Sequence, residues 1–416
     1  MYGEDIEPQR IHKTMRAIRA TRQHIVQTHN PSSIEPKQML QVRFPKIGAD
    51  DVIVPGSFFV SGVLKLSSTK DPKRTVVPNI GVKIIKTFKV RFESNEVLSI
   101  ENYDEIKSYF DLWLSKKDKS RRIPQGIQSA KGLALRVGSK DATGDVEETA
   151  IAKTLGGRFR IPIDFELLNS VGPYHQHSLA DKLEIQLTFN DAKSIILGST
   201  STLASANDAD YGYTFTDIRT EWDQITDSDI ARSMAMQYQM FALPFKRLVQ
   251  HQFRVVKKSE PVINLNVNAP SKSLSHVLIL AIDSGKDRKP FERKEVFKNL
   301  DVTKVNITIE GKPNQLYAQG LSKENTWSEI TKLFKENGVS MGEFLTEKYA
   351  LLLDLRPSVD NKMHGNGVEL QNTTDGLTIE IQRVPGPDNE SLNLHVFLLQ
   401  DAQLNLERGR FHSIAF

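Results

Sequence analysis

The 416-residue sequence contains no cysteine, which rules out disulfides, thiolate metal sites and a cysteine nucleophile together. That absence fits a chain made in a reducing compartment. No apolar run approaches the ~20 residues that cross a bilayer as a helix, so no membrane-spanning segment is expected. The opening decapeptide, MYGEDIEPQR, is polar and acidic, unlike a secretory signal. Neither sign of charge is in excess. Fifty-five Lys and Arg against 51 Asp and Glu leave +4, too little on a chain this long to mark its whole surface for nucleic acid. Enzyme signatures are also missing: no Gly-x-Ser-x-Gly, His-Glu-x-x-His or Asp-rich metal loop occurs. Lys153–Arg158 (KTLGGR) lacks the Gly-x-x-x-x-Gly-Lys order of a phosphate loop.

What the sequence has is alternation. With 39% hydrophobic and 25% charged residues it has the balance of an ordinary globular protein, and its length suggests two or three domains. In 183–189, Leu183, Ile185, Leu187 and Phe189 point one way, and Glu184, Gln186 and Thr188 the other. That period of two marks a half-buried antiparallel strand. The same reading gives strands at Leu40–Phe44, Val52–Val54, Ser57–Leu66, Val82–Phe92 and Tyr213–Asp223. Further on it gives Val249–Lys257, Val262–Val267, Leu274–Asp283, Val305–Ile309, Lys348–Leu355, Leu377–Gln382 and Leu392–Leu406. Helical spacing appears at Tyr103–Leu114, where Tyr103, Ile106, Phe110 and Trp113 share a face expected in the core. It recurs at Trp327–Glu336, with a Thr326/Glu329 capping box and Gly338 as a stop.

Three polar stretches interrupt this pattern. Gln9–Gln27 predicts an amphipathic helix, with Arg10, Lys13, Arg16, Arg19 and Arg22 on one broad face and Ile11, Met15, Ile18 and Ile25 on another. The five basic residues are candidate contacts to a partner or a particle interior. Residues 115–157 form a long polar connection carrying Lys116, Lys117, Lys119, Arg121 and Arg122, a candidate loop contact. Residues 197–211 form another.

The two halves follow one script. DDVIVPGSFFVSGVLKL (50–66) is matched by PVINLNVNAPSKSLSHVLIL (261–280), and strand 82–92 with its helix by strand 304–310 with helix 326–338. IPIDFELL (161–168) is matched by YALLLDL (349–355), and DKLEIQLTF (181–189) by DGLTIEIQR (375–383). Antiparallel units of about eight short strands with long loops suggest a jelly roll or a related sandwich. The expected fold is all-β: two tandem eight-stranded jelly-roll barrels with short helices in the long loops. The expected division is an N-terminal arm at 1–36, a first jelly roll at 37–225, a helical bridge at 226–240 and a second jelly roll at 241–416.

RIPIDFELLNSVGPYHQHSLADKLEIQLTFNDA (160–192), YTFTDIRTEW (213–222), LPFKRLVQHQFRVVKKSEPVINLNVNAPSKSLSHVLIL (243–280) and VTKVNITIEGKPNQLYAQGL (302–321) carry a family resemblance. In them the chain resembles the double jelly-roll major capsid proteins of the adenovirus–giant-virus lineage, most closely those of polinton-type elements, adintoviruses and virophages. The resemblance implies homotrimeric capsomers of pseudo-hexagonal outline that tile an icosahedral shell. It implies no enzymatic activity and no cofactor. The partners it implies are other copies, neighbouring capsomers, penton or minor capsid proteins, and packaged DNA near the N-terminal arm. The location it implies is the virion capsid, assembled in the host cytoplasm or nucleus.

Two other classes compete. One is a tandem β-sandwich that binds carbohydrate or nucleic acid; the other is a jelly-roll glycoside hydrolase. His175-Gln176-His177 would place two imidazoles on one strand face as metal ligands, but no third ligand accompanies them. Asp164 and Glu166 share a face on an extended segment, yet glycosidases need carboxylates across a cleft.

Overall fold

A computed structural model describes residues 22–416, apart from 45–46, 69–73, 78, 123–124, 127–157, 170–171, 199–210, 285–295, 315–316, 318, 323–324, 335–337, 358–364 and 372–375. The expected helix residues Arg10, Lys13, Arg16 and Arg19 therefore lie outside the described part, as does most of each long polar connection.

The first unit is built from twelve strands: β1 (Arg22–Thr28), β2 (Ser33–Ile34), β3 (Met39–Arg43), β4 (Asp51–Ile53), β5 (Phe59–Ser68), β6 (Arg74–Val76), β7 (Ile85–Phe92), β8 (Asn95–Glu101), β9 (Arg158–Pro162), β10 (Leu183–Phe189), β11 (Ile196–Gly198) and β12 (Tyr211–Thr226). One sheet runs β1-β12-β5-β9, with β2 and β4 also on β12. The facing sheet runs β3-β10-β7-β8, and β6 with β11 makes a small ribbon.

The second unit has ten: β13 (Met240–Lys257), β14 (Val262–Val267), β15 (Leu274–Asp283), β16 (Val302–Ile309), β17 (Lys312–Pro313), β18 (Leu321–Ser322), β19 (Leu351–Asp354), β20 (Leu377–Arg383), β21 (Ser391–Glu407) and β22 (Arg410–Ala415). Its sheets run β13-β21-β15-β19 and β14-β20-β16-β17. The duplication therefore holds for the eight principal strands of each unit. In both units the first strand (β1 or β13) lies beside a long late strand (β12 or β21), which also pairs with the third principal strand (β5 or β15). The central strand of the facing sheet, β10 or β20, sits between two earlier ones. Two facing sheets with this connectivity make a jelly roll.

Alternation dictated these strands correctly where one face is buried. Leu183, Ile185, Leu187 and Phe189 are at most 1% exposed, as are Ile263, Leu265, Ile379 and Ile381. Several expectations need correction. Val82 belongs to a helical turn at Ile80–Lys83, so the strand starts at Ile85. The counterpart of β14 is β3, because β4 pairs with β12 in the other sheet. Gln9–Gln27 does not end as a helix: from Arg22 the chain is extended and pairs residue for residue with β12, placing Ile25 opposite Trp222. The three-residue spacing of arginines suggested a helix, but the free edge of β12 offers seven paired positions. Thus residues 22–34 of the expected arm run along the first jelly roll.

The capping box also moved. Thr326 is the first helical residue of Thr326–Leu333, flanked by Asn325 without a side-chain cap, and its side chain is buried. A full capping box forms instead at Ser340 and Glu343, on helix Met341–Thr346. At the bridge, Asp227 caps helix Ser228–Gln237 by accepting hydrogen bonds from the backbone of Asp229 and Ile230.

The two units share one aromatic seam. Helix Tyr103–Leu112 and Trp113 from the first unit pack on Phe297, Trp327, Phe334 and Phe344 of the second, with Trp113 to Trp327 at 5.9 Å and Tyr109 to Phe297 at 5.0 Å between ring centroids. Each such pair contributes roughly 0.5–1.5 kcal/mol beyond its area burial. Gly338 lets the backbones touch, since a Cβ there would lie 2.4 Å from the Leu114 carbonyl oxygen. Polar bonds cross as well: the Tyr109 hydroxyl donates to the Lys348 carbonyl (3.2 Å), and the Phe411 amide to Asp181 Oδ2 (2.8 Å).

Candidate assembly surfaces

The basic cluster after Trp113 does not act as one patch. Lys116–Arg121 is a short helix capped by Ser115. Lys119 turns back to donate to the Leu112 carbonyl (2.7 Å), and Arg122 pairs with Asp111 (3.0 Å), whose carboxylate is buried. Lys116, Lys117 and Arg121 remain exposed. Sequence spacing grouped all five because it cannot see which carbonyls and carboxylates come within reach.

Arg22 lies on β1, exposed, and its guanidinium pairs with Asp223 on β12. It begins a ladder of charge across the outer face of sheet β1-β12-β5-β9. His24 Nδ1 sits 2.9 Å from Asp223 Oδ1, and Arg160 on β9 donates to Glu221 Oε2 at 3.1 Å. Ser61, fully buried on β5, donates to Glu221, and Arg158 bonds Ser61 and Asp217. Burial pushes the Asp223 carboxyl up, but Arg22 and His24 outweigh this and hold it below the usual carboxylate range. This ladder was invisible in the sequence, since its members come from four strands up to 201 residues apart.

The corresponding face of the second unit is greasy. Leu278, Leu280, Leu352 and Phe397 share one face of the sheet and are buried, as are Val277, Ile279, Leu353 and Val396 on the other. The first unit covers this face: Asn102 hydrogen-bonds Gln250, which pairs with Phe397, and β8 runs beside β13.

Groups considered for chemistry serve the fold. His175 uses both ring nitrogens, one with the Ala49 carbonyl (2.9 Å) and one with the Ser178 hydroxyl (2.6 Å), on a short 3-10 turn. Asp164 is neutralised by Lys107, while burial, then the neighbouring Asp164 charge, pushes the Glu166 carboxyl up to about 8. His395 is buried against Phe253 and Phe397. Among the described residues no group of three or more His, Asp and Glu converges as a metal site, and no helix is long and apolar enough to cross a membrane.

No protein-family description and no curated protein matches the sequence. Comparison with solved structures is decisive for the fold. PBCV-1 VP54, fitted into a reconstruction of the virophage Sputnik, superposes with a TM-score of 0.59 at 11% identity, covering 97% of this chain and 99% of that one. The chain has the double jelly-roll fold. The Faustovirus major capsid protein gives 0.58 at 8% identity over 93% and 91% of the two chains. The mavirus major capsid protein gives 0.53 at 9% over 92% and 90%. The double jelly roll thus extends over almost the full length of each of these capsid proteins.

Proposed function

We propose that this chain is the major capsid protein of an icosahedral virus, with a structural and not a catalytic role. Three copies form a capsomer in which six barrels give a pseudo-hexagonal outline, and capsomers tile the shell. The observation that carries this reading is the duplication of the eight principal strands over nearly the whole chain, matched end to end by viral major capsid proteins. Duplication lets a threefold assembly imitate six-fold symmetry, which suits lateral packing in a shell. The finer readings belong here too. Residues 1–21 form an inward arm that meets a minor capsid protein or packaged DNA, with phosphate attraction weakened by salt. Penton or minor proteins complete the shell, assembly takes place in the host cytoplasm or nucleus, and the kinship is with polinton-type elements and adintoviruses. The bridge 226–240 joins barrels at 37–225 and 241–416, with β1 added to the first.

Size-exclusion chromatography with light scattering tests the reading. The expected result is a species of three times the chain mass without added ligand. A monomer at micromolar concentration at every salt concentration would overturn it and favour the tandem carbohydrate- or nucleic-acid-binding module.

A further inference from the structure

We infer that Lys246 and Asp401 join in an intramolecular isopeptide bond, which forms within the folded second jelly roll without any other reactant. This goes beyond the capsid reading and holds or fails independently of it. The chain has no cysteine, so a covalent tie between its strands has to come from other side chains.

The two residues stand directly opposite each other in the register of β13 and β21, 155 residues apart in sequence. The Lys246 ammonium donates to Asp401 Oδ1, and the two side chains are 15% and 1% exposed. Two further donors meet the other carboxylate oxygen. The Ser273 hydroxyl lies 2.6 Å and the Gly365 amide 3.0 Å from Asp401 Oδ2. The Ser273 oxygen in turn accepts from the Gly367 amide (2.8 Å), which aims the hydroxyl proton at the carboxylate. That close approach requires glycine, because a Cβ on Gly367 would lie 2.4 Å from the Leu274 backbone. The amine thus touches one oxygen of the carboxylate, while the other is held as in an oxyanion hole.

Held this way, the pair can condense. A proton passes from Nζ to Oδ1 along their hydrogen bond and leaves a neutral amine beside a neutral carboxyl. In a dry site that exchange relieves two buried charges. The amine lone pair then attacks Cγ, and Oδ2 takes the developing negative charge against the Ser273 hydroxyl and the Gly365 amide. A second proton moves from nitrogen to Oδ1, the Cγ–Oδ1 bond breaks and water leaves. Of the three ammonium protons two depart on that water and one stays on the new amide. Oδ2 becomes the amide carbonyl oxygen and keeps both of its donors. Holding amine and carboxyl in contact removes the encounter that makes such a condensation slow in solution. Lys107 and Asp164 form a similar pair, but that carboxylate is 39% exposed, so it stays hydrated and remains an ion pair.

Intact-mass spectrometry of the folded full-length chain tests this directly, with allowance for N-terminal processing. Lys246→Arg and Asp401→Ala are measured beside it, and the tryptic digest of each is sequenced by fragmentation. Lys246→Arg keeps the positive charge but has no amine to condense. The expected wild-type mass is one water below that of the sequence, and both variants should have their full sequence masses. The wild-type digest should hold one branched peptide joining Lys246 to Asp401, with the chain left uncut after Lys246. A wild-type chain at its full sequence mass, cut after Lys246, overturns the inference and leaves the capsid reading standing. A water lost through a link between other residues overturns it as well. If a variant misfolds, the wild-type mass and its branched peptide still decide.

Discussion

Trp113 lies flat on Phe334, with ring centroids 4.9 Å apart and planes 9° from parallel. Trp113 follows the helix of the first jelly roll and Phe334 ends the helix of the second, and both are at most 1% exposed. Elements duplicated in sequence have met face to face, so the loops that connect strands in each barrel also hold the barrels together.

Removing either ring should therefore weaken both units. Trp113→Ala or Phe334→Ala is expected to cost about 3–5 kcal/mol, the range for a large aromatic cut from a packed core. The double variant should show a coupling of at least about 0.5 kcal/mol, as residues in contact do. Urea unfolding followed by fluorescence and circular dichroism measures both, and simple additivity would show that the stack does not link the units.

Acid should find a weak point in the second jelly roll. His276 is buried beside Asp354 (3.6 Å) and Ser275 (3.0 Å), and burial holds its pKa down to about 3. The unfolded chain binds that proton near 6.5, so between about 3 and 6.5 it holds more protons than the folded one. Stability from this group is complete above 6.5 and is lost as pH falls toward 3, by up to about 1.4 kcal/mol per pH unit. His276→Gln should flatten that limb of the pH–stability curve measured by denaturant unfolding. An unchanged slope would place the acid sensitivity elsewhere.

Truncations of the N-terminus should separate folding from assembly. Removing residues 1–21 keeps β1 and the Arg22–Asp223 pair, so melting should stay within about 0.5 kcal/mol of wild type, as for changes away from packed features, while shells form poorly. Removing 1–30 also takes away β1 and its pairing along β12 and should lower the melting temperature. Electron microscopy counts the shells and calorimetry reads the fold. Normal shells from the shorter deletion would refute an inward role for the arm.

The basic residues after Trp113 should divide into two classes. Arg122→Ala leaves the buried Asp111 carboxylate without its ion pair and should cost about 3 kcal/mol. Lys116→Glu, Lys117→Glu or Arg121→Glu should change stability by no more than about 0.5 kcal/mol. Equal effects in a thermal-shift assay would contradict the division.

Most of the barrels was legible because a strand with one buried face writes its burial into the sequence. Val262–Val267 and Leu274–Asp283 were bounded to the residue. Misreadings came where burial is absent or shared. β1 buries almost nothing, so its arginine spacing suggested a helix. β8 (NEVLSIE) is an edge strand with a short apolar core and was missed. The charge ladder on β12 was illegible for another reason: Asp223, Glu221 and Arg160 each look like ordinary surface charges until the register brings them together. The seam was half legible, since Trp113 reads as core, but only the fold reveals that the core it joins belongs to the other barrel.

The most direct test of the central claim is single-particle electron microscopy of the purified chain. The expected image is a threefold particle with six barrel-sized lobes in a hexagonal outline, two from each copy. A population made only of two-lobed particles would contradict it.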